Sequence, residues 1–440
     1  MADTLARTLT TRDLTLLVVG NVIGSGIFLV PSSVLAQSGE SVWVAMGVWL
    51  VGGALSLLGA LSYAELGAMS ATGSGGGLYA FIRDGFGPFP GFLYGWTLFF
   101  VIGAGTIATL CVAAANYMTE FVPMTGFQKD VVAVTLIIVL AALNVRSTKE
   151  SAMVQNVATV IKVIAILAMC ALLLSLGQGG ASPAVSHTAT PVSLAGVSLS
   201  IISVLWAYEG WQYVTFVSAE AQNPQRALPR AITVGTVVLI AIYLLANVAY
   251  LAALGPARMA ASERVASEAV TAVLGPAAGG LIAAAIIIAM YSAAHATVIT
   301  VTRVYFAMAR DGLFFQRLAG IHPTYKTPAF AIISSCAWAI VLALSGTFEQ
   351  LLTYVVFIGW IFYALGAAAV IALRHKRPDA PRPFRVPGYP VTPLLFVAAA
   401  TVIVGNTIVS QPMQSAIGLS VVLAGAPAFV IWRRRSRVRG

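Results

Sequence analysis

The chain has 440 residues, of which 59% are hydrophobic and 9% charged, with a formal net charge of +10. Soluble domains carry roughly 25% charged residues, so a water-facing surface cannot be built at this length, and a large soluble enzyme is excluded. The positive charge would point to nucleic acid in a soluble chain, but here it gathers at the ends of apolar segments and no nucleic-acid partner is expected.

A helix needs roughly 20 apolar residues to cross the hydrocarbon core. Such segments run over 13–37, 42–67, 89–118, 130–146, 151–177, 194–217, 229–254, 277–306, 328–345, 350–374, 390–409 and 414–432. They predict an all-α integral membrane protein of about twelve transmembrane helices, embedded in a lipid bilayer between a tail, 1–12, and a basic tail, 433–440. Segment 130–146 reads as short, and 277–306 as long enough to tilt or project into water. The polar connection 307–327 is expected to contain short helical turns, while 178–193, 255–276 and 375–389 are too short for domains.

Lys and Arg near helix ends mark the cytoplasmic side. With the N-terminus inside, Lys129, Arg258 and Arg264 fall outside, Lys162 lies within the membrane, and the other twenty-one of 25 lie inside. Both termini are therefore expected in the cytoplasm, with the chain in the cell (inner) membrane. The first apolar stretch is longer than a signal-peptide core and another span follows at once, so cleavage is not expected. Cys111, Cys170 and Cys336 lie in apolar runs and suggest no disulfide framework. His187, His295, His322 and His375 are scattered, and no metal-ligand set or nucleophile elbow occurs. Neither cofactor nor metal is expected, and a membrane-embedded enzyme is the distant reading.

Two spans carry interruptions. The first contains Gly20, Gly24, Ser25 and Gly26. Glycine costs about 1 kcal/mol relative to alanine inside a helix, and irregular backbone at membrane depth survives only beside protein or a water-filled cavity. Close helix packing by small residues is the plainer account of this triplet. The sixth span contains Trp206-Ala207-Tyr208-Glu209-Gly210-Trp211-Gln212 between apolar flanks. Each interruption falls in the first helix of a block of five, 13–177 and 194–374, with 390–432 outside the blocks. Odd-numbered blocks enter from opposite faces, so the repeat is inverted, and matched breaks in two halves point to a transporter site. A channel or receptor would not need them.

The breaks predict a receptor for a zwitterion. Amides of Ser25, Gly26 and Ile27 open the second half of span one and suit a carboxylate. Carbonyls around Val22 and Ile23, and those near Trp206 and Ala207, present partial negative charge and suit an ammonium.

At these positions the chain resembles the amino acid–polyamine–organocation superfamily, in its L-type amino acid transporter-like branch. The resemblance covers nearly the whole chain. It rests on Gly20-Asn21-Val22-Ile23-Gly24-Ser25-Gly26-Ile27-Phe28, Tyr63-Ala64-Glu65-Leu66, Gly75-Gly76-Gly77-Leu78-Tyr79 and Gly95-Trp96. Trp206 to Trp211, Glu220, Asn223-Pro224, Leu228-Pro229-Arg230-Ala231, Arg303 and Met308-Ala309-Arg310-Asp311-Gly312 continue it. The ordered set is specific where any one fragment is weak.

The resemblance implies a five-plus-five inverted repeat with discontinuous helices one and six and two extra C-terminal helices. It implies a secondary active permease of amino acids, neutral L-amino acids foremost, working by sodium-independent alternating access through exchange or proton linkage. A polyamine or cationic amino acid permease is the alternative. Trp206 falls where the family keeps an aromatic gate. Lys162, mid-span, stands where sodium-coupled cousins hold sodium, and its ammonium can bridge the span-one break to span eight or, when desolvated, take and release a proton. A lysine there costs roughly 2.5–3.5 kcal/mol and demands a partner.

Two positions depart from relatives. His295 replaces a common asparagine and reads either as a site contact or proton handler, or as a hydrogen-bonded packing residue. Glu209 replaces a small residue. It reads as a cap for the exposed amides of its break, or as a group that contacts a substrate amine or titrates in coupling. The loop 119–129 lacks the cysteine through which animal members join a glycoprotein heavy chain, so no disulfide-linked heavy chain is expected.

Overall fold

The structure is a computed structural model and describes residues 7–69, 75–146, 148–177, 191–345 and 348–438. Side chains of Lys149 and of the basic tail beyond Arg433, together with His187, lie outside the described part. Among the described residues there are fifteen α-helices and no strand, only an isolated bridge between Leu9 and Ala221.

Helix α1 (Thr11–Val22) opens with a capping box in which Thr10 and Asp13 satisfy each other's amides. After a break comes α2 (Gly26–Gln37), bent by 46° from α1. Then follow α3 (Val42–Met69), the short α4 (Leu78–Phe86), α5 (Pro88–Met118), α6 (Gly126–Arg146) and α7 (Thr148–Leu176). The second half contains α8 (Leu194–Ala207), a 3₁₀ coil over Trp211–Glu220, α9 (Pro224–Ala261), α10 (Val265–Leu274) and α11 (Pro276–Arg310). After a 3₁₀ turn at Gln316–Ala319, the chain closes with α12 (Ala329–Ser345), α13 (Phe348–Lys376), α14 (Val391–Ser410) and α15 (Pro412–Val438). Proline stands in the first turn of α5, α9 and α11, where its missing N–H would have had no partner.

Among the described residues ten helices are long and apolar enough to cross a membrane, eleven with the bent α1–α2 pair counted as one span. The remaining expected span is α12, an apolar helix of 17 residues. Segment 130–146 is not short. Its helix begins at Gly126 and has 21 residues, because Gln128 and Lys129 belong to a polar first turn that hydropathy excludes. Two connections hold helices that the apolar pattern did not reveal, α4 and α10. Both are under one apolar crossing length and follow glycine or a polar turn. The span read as 229–254 ends where predicted, because Gly255 adopts φ 71° and Pro256 follows. The expected turn in 307–327 is the 3₁₀ segment Gln316–Ala319.

Helices α3 and α1 pack along α9, and α5 packs along α11, so the two broken spans lie inside a ring of intact ones. Within α5 a wider π turn covers Leu98–Ile102, the sort of bulge that frees carbonyls at functional sites. The Tyr305 hydroxyl of α11 donates to Leu98 O at 3.0 Å.

Several motif residues serve ion pairs at helix ends. Buried Glu65 accepts from Arg374 at 2.6 and 2.9 Å and from the Val386 amide at 2.7 Å, tying α3 to α13. Glu220 accepts from Arg303 at 2.7 Å, with both side chains buried. Asp311 receives the Tyr79 hydroxyl at 2.7 Å and is paired with Arg83.

Candidate functional site

The site begins with two interruptions in the backbone. Helix α1 stops at Val22, and its last carbonyls turn back on the chain, with the Gly24 amide donating to Val22 O at 2.8 Å. Helix α2 restarts at Gly26, so the amides of Gly26 and Ile27 have no intrahelical acceptor, while the Phe28 amide donates to Ser25 O at 3.1 Å. Ser25 sits at the N-cap without making a cap bond, and its buried hydroxyl has no protein partner.

In the second interruption α8 ends at Ala207 and Gly210 adopts φ 122°, a conformation that costs any residue with a Cβ. The chain after it continues as a 3₁₀ coil rather than an α-helix, which leaves a looser hydrogen-bond ladder at this position.

The two interruptions touch. A Cβ at Gly26 would lie 2.7 Å from Ala207 Cα, and one at Gly210 would lie 3.1 Å from the Asn21 backbone. Together they form one side of a cavity that opens to its mouth, with about 540 Å³ of atom-free space when the open mouth is included. Val22, Gly24, Ser25 and Gly26 line it from the first break, and Trp206, Ala207, Glu209 and Gly210 from the second.

Three expected contacts are not in the wall. Ile23 and Ile27 are fully buried away from the cavity, and Tyr208 is packed edge-on against Trp49 and beside Tyr243. Successive residues of a chain point in different directions, so only some members of a broken stretch can face one cavity.

The carbonyls predicted to meet an ammonium already have protein donors. The Tyr243 hydroxyl of α9 lies 3.0 Å from Val22 O and 3.1 Å from Ala207 O, and its single proton is shared between them. Lys162 of α7 donates to Gly20 O and Ile23 O, both at 2.7 Å. Its ammonium therefore caps the end of α1, a favourable place for a cation. The bridge from α7 to α11 is made by Gln155, not by Lys162. The Gln155 side chain bonds Ser292 at 3.2 Å and His295 Nδ1 at 3.2 Å. His295 thus packs behind the wall, two residues from Ala293 and Thr297, which do line the cavity.

Glu209 does not cap its own break. Gln212 Oε1 accepts from the Gly210 amide at 3.2 Å, while Glu209 Oε1 accepts from the Tyr363 hydroxyl at 2.5 Å. Its Oε2 is buried without a protein partner. A side chain at Gln212 can fold back over two residues, whereas that of Glu209 leads outward to α13.

Sequence reasoning missed the opposite wall, made of Thr106, Thr109 and Leu110 on α5, Tyr213 on the 3₁₀ coil, and Ala293 and Thr297 on α11. The one available signal was the i, i+3 pair of threonines in a mostly apolar span. Intact helices offer no local anomaly to find.

A ring of apolar helices around two mutually packed breaks, with unbonded polar groups facing a cavity, defines a multi-pass membrane transporter of small molecules. The amino acid permease family model matches residues 9–431. The serine/threonine exchanger SteT of Bacillus subtilis (strain 168) is 32% identical over 422 residues, 95% of this chain and 95% of its own. The b(0,+)-type amino acid transporter 1 of Mus musculus is 32% identical over 403 residues, 90% of this chain and 81% of its own. The human cystine/glutamate transporter is 32% identical over 433 residues, covering 96% and 85%. The chain belongs to the amino acid permease family of the amino acid–polyamine–organocation superfamily. It is an amino acid transporter and not an enzyme.

Proposed function

We propose that the chain carries neutral L-amino acids by sodium-independent alternating access, with the cavity between the breaks as its substrate site. The observation that carries this reading is the contact of the two breaks. It supports a lining in which the first-turn amide of Gly26 and the Ser25 hydroxyl share one cavity with Glu209, whose Oε2 has no protein partner. A carboxylate suits the amide end, and an ammonium suits Glu209. The roles assigned to Ser25, Gly26, Trp206 and Glu209 follow from that placement. Exchange is the favoured mode, since an exchanger stands among the relatives.

The same reading includes an inverted repeat of 13–177 and 194–374, location in the inner membrane, and both termini in the cytoplasm. The distribution of Lys and Arg supports the orientation. The loop 119–129 contains no cysteine, which supports function without a disulfide-linked heavy chain.

The test uses purified protein in liposomes and a panel of unlabelled competitors against a labelled neutral amino acid. Parent amino acids should compete, while their amides and N-acyl derivatives should not. Equal competition by a blocked form would remove the zwitterion receptor.

A second reading is favoured by the unpartnered Oε2 of Glu209, which could receive a cationic side chain or one end of a polyamine. Lysine, arginine and putrescine belong in the same panel. Strong competition by them that disappears in Glu209→Gln would decide for this reading.

A further inference from the structure

The far wall of the cavity has a hydrogen-bonding character that the two breaks do not determine. With the carboxyl and amino groups of a substrate held at the breaks, the side chain must extend toward α5 and α11. Three threonines wait there, Thr106 and Thr109 on α5 and Thr297 on α11. Each hydroxyl has one proton and two lone pairs. Thr106 gives its proton to Ile102 O at 2.7 Å, and Thr297 gives its own to Ala293 O at 2.9 Å. Both can then only accept. Thr109 is 3% exposed, and its hydroxyl has no protein partner.

We infer that this wall selects neutral amino acids whose side chain carries a hydrogen-bond donor, a hydroxyl or a carboxamide, and that Thr109 is the specificity-determining residue. The inference rests on the substrate lying in this cavity as proposed above. A hydroxyl or carboxamide can give a proton to Thr106 or Thr297 and satisfy Thr109 in either sense. An apolar side chain of the same shape would leave the Thr109 hydroxyl as it stands, buried and unpaired. Sites built to hydrogen-bond a substrate reject the analogue lacking that group far more strongly than an apolar pocket rejects an extra methylene. A carboxylate side chain brings acceptors only, toward two accepting threonines and Glu209. Leu110 and Ala293 also line this wall and supply apolar contact.

Threonine and valine have nearly the same shape and differ in one hydroxyl, so their uptake ratio reads this wall directly. The ratio does not depend on how much protein is inserted. In liposomes the wild type should prefer threonine to valine, and asparagine to leucine, by about tenfold or more, from the cost of one unpaired buried hydroxyl. Thr109→Val should bring the threonine-to-valine ratio down to within a few-fold of one, and Thr109→Ser should keep it high. Uptake of both amino acids at equal rates by the wild type would overturn the inference while leaving amino acid transport intact. A ratio unchanged in Thr109→Val would remove Thr109 from specificity. Failure to carry any amino acid would sink the placement of substrate in the cavity, and this inference with it.

Discussion

Lys162 is the residue on which the first break most depends. Gln155, Thr159 and Lys162 recur at i, i+4 and i+7 on α7, and all three are buried, so one polar stripe of that helix faces α1. Gly20 is what admits it, because a Cβ there would fall 2.4 Å from the Gln155 amide nitrogen and 2.5 Å from the Thr159 hydroxyl. The ammonium at the end of that stripe answers two carbonyls that α1 leaves open. Loss of the charged donor should uncouple the break from α7. Lys162→Ala is expected to lower initial uptake per inserted protein by about tenfold or more, the value of hydrogen bonds to a charged group. Lys162→Arg should not restore it, since a planar guanidinium is bulkier and cannot meet both carbonyls from the same place. Full activity of the alanine variant would take Lys162 out of the mechanism.

At the scale of elements, the breaks are held by packing as much as by hydrogen bonds. The Gly24-Ser25-Gly26 triplet reads from sequence alone either as a ligand approach or as helix packing, and the two glycines divide these roles. Gly26 faces the Ala207 backbone, and any side chain there must push α2 away from α8. Gly26→Val is therefore expected to abolish uptake and also to lower the melting temperature in detergent. At Gly24 a methyl would fit tightly but meet only side-chain carbons, 3.3 Å from Leu110 Cδ2 and 3.4 Å from Ala293 Cβ, so Gly24→Ala should reduce uptake severalfold with a much smaller fall in melting temperature. Identical behaviour of the two variants would contradict this division.

The Glu220–Arg303 pair belongs to the same scale. It joins the end of the 3₁₀ coil to α11, and the Glu220 carbonyl also accepts from the Leu9 amide at 3.0 Å. Removing one partner of a buried ion pair strands the other and typically costs about 3–5 kcal/mol. Glu220→Ala should thus melt well below the wild type, with Glu220→Asp intermediate. A melting curve unaffected by the alanine change would show that water reaches Arg303.

For the whole molecule, the decisive property is the source of energy for transport. An ammonium already answers Gly20 O and Ile23 O, carbonyls that would otherwise be available to a metal ion. Uptake is accordingly expected to proceed at the same rate in choline and in sodium buffer, and to be accelerated by amino acid preloaded inside the liposome. A strict sodium requirement would refute the sodium-independent mechanism.

Sequence alone determined the features that depend on local chemistry. Composition placed the chain in a bilayer, hydropathy located the spans, and Gly24, Gly26 and Gly210 marked the breaks, because backbone without side chains cannot hide its polarity in lipid. The ordered motifs named the family. What only the tertiary structure decided is who answers each exposed group. Tyr243 reaches two breaks from α9, Tyr363 takes Glu209 across 154 positions, and Gln155 rather than Lys162 joins α7 to α11. Thr106, Thr109 and Thr297 stand on unbroken helices and become a wall only when α5 and α11 lie across from the breaks. Hydrogen-bond partners at this range are fixed by helix packing, and no periodicity along the chain records it.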